Sequence, residues 1–189
     1  EGMNRHIEKI FEAADRAADI TSRLLAFARR KRLEVVDVDL KSAIFEAASM
    51  LGPLIGERIE LSINCDPNAG SIRTDRVALQ QVVMNLVVNA RDAMPDGGLI
   101  EVHAHAESSL TPKVLFSGER DAGDWGVISI SDHGTGIDPD DLGRVFEPFF
   151  TTKNLGEGTG LGLATVWWIV KESGGVIDLN SSEGKGTKI

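Results

Sequence analysis

Glycine is packed into three short stretches of the second half of the chain, and these limit where regular elements can run. They are Asp132-His133-Gly134-Thr135-Gly136, Gly156-Glu157-Gly158-Thr159-Gly160-Leu161-Gly162-Leu163 and Gly184-Lys185-Gly186-Thr187, with Phe146-Glu147-Pro148-Phe149-Phe150 between the first two. Glycines this dense mark backbone that turns sharply or lies close to a ligand, although turns alone account for any one stretch. Spacing excludes the common phosphate loops. There is no G-x-x-x-x-G-K-[ST], and a G-x-G-x-x-G starting at Gly156 would need glycine where Leu161 stands. The longest stretch also follows Phe149-Phe150-Thr151-Thr152-Lys153 rather than a strand.

Upstream, Asp75 is placed to cap a helix through Met94 that Pro95-Asp96-Gly97-Gly98 closes. At 100° per residue Asn85, Asn89 and Asp92 fall within about 60° of one another, with apolar Val82, Leu86, Leu79, Ala90 and Ala93 on one side and Val88 and Met84 on the other. A narrow polar row between apolar walls is costly to bury unless a partner hydrogen-bonds it, and its oxygens suit magnesium. The other reading is a polar edge facing solvent.

The remaining pattern predicts strands at 35–38, 58–64, 71–74, 99–106, 125–131 and 176–180. It predicts helices from Asp39 to about Leu54, near 138–145, and from Leu161 to about Ser173. The stretch 107–124 reads as a loop, and a further strand is expected after the turn at Gly184. Strands and helices interleave without a strict βαβ rhythm, which predicts an α+β fold: a two-layer α/β sandwich with a mixed sheet and helices on one face. Ahead of it, Ile7, Ile10, Phe11, Ala14, Ala17, Ala18, Leu24, Leu25 and Ala28 recur at helical spacing from about Arg5 to Arg30. This long amphipathic helix, roughly 39 Å, needs a partner: another chain, a helix outside the sequence, or its own domain. The organisation expected is thus 1–32 and 33–189.

A net charge of −9 excludes a general nucleic-acid binder, and Arg29-Arg30-Lys31-Arg32 reads as a solvated helix end. No apolar run approaches the roughly 20 residues that cross a bilayer. The single cysteine, Cys65, excludes an intrachain disulfide or a cysteine-based zinc site and fits a reducing, cytoplasmic setting. Both ends read as cut from a longer protein, which can itself be membrane-anchored.

In their order, Asn85-Leu86-Val87-Val88-Asn89-Ala90 and the four segments above closely resemble the catalytic domain of sensor histidine kinases of the hybrid type, within the Bergerat-fold ATPase superfamily. The resemblance runs from about Val36 to Ile189. Leu24-Leu25-Ala26-Phe27-Ala28-Arg29-Arg30 is similar to the second helix of the dimerisation and histidine-phosphotransfer hairpin.

The resemblance implies an enzyme with ATP and Mg2+ as cofactors. Asp132 would accept the adenine amino group, Gly136 would let the base lie against backbone, and Thr187 would reach the same edge. Asn89 would be the metal ligand, with Asn85 and Asp92 on the same stripe. Gly158, Thr159, Gly160, Leu161, Gly162 and Leu163 would present backbone N–H groups to the phosphates, with Lys153 adding a cation. Gly134, Ile137 and Phe146 complete the implied cofactor-binding set, and Asn85, Asn89 and Lys153 the catalytic one. Phe146, Phe149 and Phe150 would flank a closing loop or serve as ordinary core.

Relatives that hydrolyse ATP, the ninety-kilodalton heat-shock chaperone and MutL proteins, carry glutamate four residues before the metal asparagine. Asn85 is an amide, a poor base. The γ-phosphate is therefore expected to pass to a histidine on the hairpin's first helix, in the same chain or a partner chain of a homodimer, and then to an aspartate of a response-regulator receiver domain. His6, His103, His105 and His133 all lack the setting of that acceptor, so this chain is not expected to phosphorylate itself. A hydrolytic ATPase, or a non-catalytic nucleotide-binding or dimerisation module, are the alternatives.

Overall fold

The computed structural model describes residues 33–153 and 158–189. The expected N-terminal helix, with His6, lies outside the described residues, as do positions 154–157 of the glycine-rich loop.

Alternating apolar residues build β2 (Ile59–Cys65), β4 (Gly98–Ser109) and β7 (Gly123–Asp132), joined by the short β8 (Asn180–Ser182) and β9 (Gly186–Lys188). Their order is β2-β4-β7-β9-β8, parallel between β2 and β4 and antiparallel elsewhere. This is the mixed sheet expected. A separate antiparallel pair joins β1 (Val36–Asp39) to β3 (Ser71–Thr74).

Among the described residues, three helices supply the second layer. Helix α1 (Leu40–Ile55) starts where Asp39 Oδ1 accepts the Ser42 N–H at 2.7 Å. Helix α2 (Arg76–Asp92) starts where Asp75 Oδ1 accepts from Val77 N at 2.9 Å and Ala78 N at 3.1 Å. Both match the caps read from sequence. Helix α3 (Gly162–Glu172) follows the glycine-rich loop. Ile100, Val102, Ala104 and Ile130 of the sheet form one buried cluster with Ile44 and Leu51 of α1, Val83 and Val87 of α2 and Val166 and Ile169 of α3. Because side chains alternate along a strand, those sheet residues share one face, and all three helices cover it. On the opposite face the His103 and His105 rings lie side by side, 5.1 Å between centroids.

Three expectations need correction. The stretch 107–124 is not a loop: β4 runs to Ser109 and a hairpin follows, β5 (Lys113–Leu115) with β6 (Gly118–Arg120). The stretch 176–179 is not a strand. Its Ile177 N–H donates to Ser117 Oγ at 2.6 Å and its carbonyl accepts from Ser117 N at 3.0 Å, so the hairpin turn takes the bonds a sheet neighbour would need. The stretch 138–145 is a run of turns, with Asp141 N bonding Asp138 O at 2.9 Å and Arg144 N bonding Asp141 O at 2.8 Å. These i to i+3 closures never extend into a helical ladder.

Candidate functional site

Helix α2, the end of β7, the segment Phe150–Lys153, the loop before α3 and β9 enclose a cavity of about 1040 Å³. Asn85, Asn89 and Asp92 all line it, so the polar stripe faces a cavity rather than bulk solvent.

At one wall, β7 ends on Asp132, only 9% exposed. Burial pushes its carboxyl above the usual aspartate range, and backbone N–H groups of Gly134 and Thr187 partly offset this. The Gly134 N–H lies 2.8 Å from Asp132 Oδ1. Thr187 sits opposite Asp132 in the β7–β9 register and its hydroxyl is 2.9 Å from that of Ser181. Ser181 Oγ also accepts the Ile137 N–H at 2.9 Å, which fixes the turn after Asp132. Ile137, Gly136 and Thr187 all line the cavity.

Gly136 holds φ 69°, and a Cβ there would stand 2.0 Å from the Ser182 carbonyl oxygen. Its glycine is thus demanded by protein backbone. Gly134 is not on the cavity wall. It packs against the end of α2, where a Cβ would meet the Ala93 carbonyl oxygen at 2.4 Å, and it acts on the site through its N–H.

At the opposite wall, Gly158, Thr159, Gly160, Leu161, Gly162 and Leu163 all face the cavity. The N-cap of α3 is Leu161, whose side chain offers no acceptor, so among the described residues no side-chain cap takes the first N–H groups of α3. Helix α2 is tied to this loop where Asn85 Nδ2 donates to Gly162 O at 3.3 Å. Asn89 lies against Gly162 with no hydrogen bond to its amide among the described residues.

The three phenylalanines separate. Phe146 is not among the cavity-lining residues; its ring centre lies 5.6 Å from that of Phe116 and 5.2 Å from that of Trp167. Phe150 lines the cavity, with the Arg144 guanidinium 4.7 Å from its ring centre. Phe149 is 57% exposed.

Lys153 lines the cavity with its Nζ 2.5 Å from Asp92 Oδ2, and Arg91 donates through Nε to Asp92 Oδ1 at 2.8 Å. Arg91, Thr135, Ile130 and Val145 also line the cavity and were not singled out from the sequence. Ile130 was within reach of the strand period, two residues before Asp132. Arg91 falls off the Asn85–Asn89–Asp92 stripe, and only its folded side chain brings it back.

Residues 74–189 match the family described as histidine kinase-, DNA gyrase B-, and HSP90-like ATPases, and the chain belongs to that family. It is therefore an ATP-binding ATPase-type domain of α+β architecture. Within the family the likeness is to sensor kinases. The chain is 41% identical over 181 residues to the sensor kinase CckA of Brucella abortus, covering 96% of this chain and 19% of that protein. It is 37% identical over 175 residues to the sensor histidine kinase ZraS of Escherichia coli K12, covering 92% and 34%. It thus spans about a fifth to a third of the curated relatives it matches. Among solved structures, a nucleotide-free catalytic domain of the histidine kinase ThkA superimposes with a TM-score of 0.64 at 27% identity, over 82% of this chain and 91% of that one. Full-length ShkA in complex with AMPPNP shares the fold, with a TM-score of 0.75 at 23% identity, over 100% and 38%.

Proposed function

We propose that residues 33–189 are the ATP- and Mg2+-binding catalytic domain of a sensor histidine kinase, and that they donate the ATP γ-phosphate to a histidine outside this chain rather than to water. The observation that carries this reading is Asn85. It stands in the cavity wall four residues before Asn89, its amide engaged to Gly162 O. An amide cannot deprotonate water, so the wall that could host a hydrolytic base holds none at that position.

Asp132 fits the base of the nucleotide: a buried carboxylate at a cavity wall accepts from an exocyclic amino group and disfavours a carbonyl there. The loop before α3 and the uncapped first turn fit the phosphates, since several N–H groups and the positive helix end converge on one region. The donor set also fits magnesium. Asn89 offers an amide oxygen that takes no hydrogen bond among the described residues, on the same cavity wall as Asn85. A hard cation that takes few protein oxygens and draws the rest from phosphate and water suits such a wall. When bound, it would neutralise phosphate charge.

In this reading residues 1–32 are the second helix of a dimerisation and phosphotransfer hairpin, the first helix supplies the acceptor histidine, and a receiver-domain aspartate takes the phosphate next. A structure of ThkA in complex with the response regulator TrrA shares the fold (TM-score 0.68, 22% identity) and supports that choice of partner. Among the described residues no helix is long and apolar enough to cross a membrane. In this reading the domain works on the cytoplasmic side, as part of a homodimer. Calorimetry with AMPPNP and Mg2+ tests the site. Binding abolished by Asp132→Ala supports it, whereas no binding at millimolar nucleotide, or binding indifferent to that change, overturns it.

A further inference from the structure

We propose that Asp92 acts on the nucleotide only through Lys153, as a positioning residue, and that Arg91 is the anchor that makes this possible. The inference rests on the reading of the cavity as an ATP site. It changes the part that Asp92 plays there from contact to support.

The geometry is a chain of charge-assisted bonds. The carbonyl of Leu54, at the end of α1, accepts from Arg91 Nη1 at 2.5 Å. The same guanidinium grips Asp92 Oδ1 through both Nε, at 2.8 Å, and Nη2. The other carboxylate oxygen, Oδ2, receives Lys153 Nζ at 2.5 Å. Both oxygens of Asp92 are therefore engaged, one by each cation. Asp92 is 22% exposed and Lys153 33% at the side chain, so the pair is partly shielded.

Charge explains why the arrangement has three members. A lone carboxylate on the wall of a cavity that takes a polyphosphate would repel it. A lone lysine–aspartate pair would present nearly no charge. With Arg91 satisfying one carboxylate oxygen, the group as a whole stays cationic, and Asp92 becomes a seat rather than a neutraliser. An ammonium has three donors and Asp92 takes one, which leaves two for phosphate oxygens. Position supplies the rest: Lys153 Cδ would lie 3.1 Å from a Cβ on Gly158, at the start of the loop whose N–H groups face the same cavity. A flexible four-carbon stem held at its tip loses less freedom when the anion arrives.

If Asp92 instead touched magnesium or the nucleoside directly, its removal would be felt independently of Lys153. A double-mutant cycle on the 189-residue chain separates the two, with calorimetry of AMPPNP and of adenosine in Mg2+ as readouts. Lys153→Ala should weaken AMPPNP by about tenfold, as expected for loss of a charge-assisted contact, and leave adenosine untouched. Asp92→Asn should weaken AMPPNP severalfold, again with adenosine untouched. The double variant should be no weaker than Lys153→Ala alone, because Asp92 has no route to the ligand once Lys153 is gone. Additive losses, a loss in adenosine binding, or tighter AMPPNP binding by Asp92→Asn would each overturn the proposal. Circular dichroism of each variant separates misfolding from these outcomes, and Arg91→Gln, which leaves Lys153 and Asp92 in place, should still lower AMPPNP affinity; an unchanged affinity counts against the anchor. Failure of the unaltered chain to bind AMPPNP would sink the ATP-site reading itself, whereas binding without coupling sinks only this one.

Discussion

The side-chain amide of Asn85 donates to the backbone carbonyl of Gly162 at 3.3 Å, joining the middle of α2 to the first residue of α3 across the cavity. A position that could carry a base is thereby used as a brace. Placing a carboxylate there should change the chemistry. Asn85→Glu is expected to raise steady-state phosphate release from ATP by at least about tenfold, within the range general bases supply, as followed by a coupled phosphate assay. An unchanged rate would mean that the amide is not what restrains hydrolysis.

Asp132 couples folding to binding through its protons. A carboxyl that holds its proton more tightly in the fold than in the unfolded chain favours the fold while protonated. That advantage is complete below the ordinary aspartate range and is lost as pH rises through the higher folded value, which burial sets here. Near neutral pH the ionised group therefore costs stability, offset in part by the N–H groups of Gly134 and Thr187. Asp132→Asn keeps the acceptor oxygen and removes the charge. Its melting temperature should exceed that of the unaltered chain near neutral pH, with the gap closing below about pH 4, while AMPPNP affinity falls.

Gly136→Ala should be among the costliest single changes. It combines a positive φ of 69° with a Cβ 2.0 Å from the Ser182 carbonyl oxygen, and roughly 2–4 kcal/mol of stability should be lost in urea unfolding. Gly184→Ala is the control: its φ is 71° but nothing lies within 4 Å of the added carbon, so about 1 kcal/mol is expected. Equal losses would show that the Ser182 contact is unimportant.

Phe146 should behave as core. Phe146→Leu removes ring contacts with Phe116 and Trp167, costing about 1 kcal/mol beyond lost area, with AMPPNP affinity unchanged. A selective loss of nucleotide affinity would return Phe146 to the binding set.

Much of this was written locally. Asp39 and Asp75 announce their helices because a short acceptor before an apolar periodic run has one natural use, and the alternation in 58–64 and 99–106 places most of β2 and the first part of β4. The asparagine stripe was legible for the same reason: helical period alone aligns Asn85, Asn89 and Asp92. What stayed hidden depends on distant partners. Val176 and Ile177 read as a strand, yet Ser117, about sixty residues earlier in sequence, takes the backbone bonds of Ile177. The hairpin at 113–120 has too few residues to show a period. Arg91 points off the stripe by sequence and rejoins it only by curling onto Asp92 and Leu54. Phe146 and Phe150 are indistinguishable in sequence, and their neighbours alone send one to the core and the other to the cavity.

The central claim is that the site gives its γ-phosphate to an external histidine. The direct measurement incubates the chain with γ-labelled ATP, Mg2+ and a separate hairpin fragment bearing an acceptor histidine. Acid-labile label should accumulate on the fragment, disappear with Asp132→Ala, and exceed the label released as free phosphate. Label recovered only as free phosphate, with the folded fragment unmarked, would contradict the claim and identify a hydrolase.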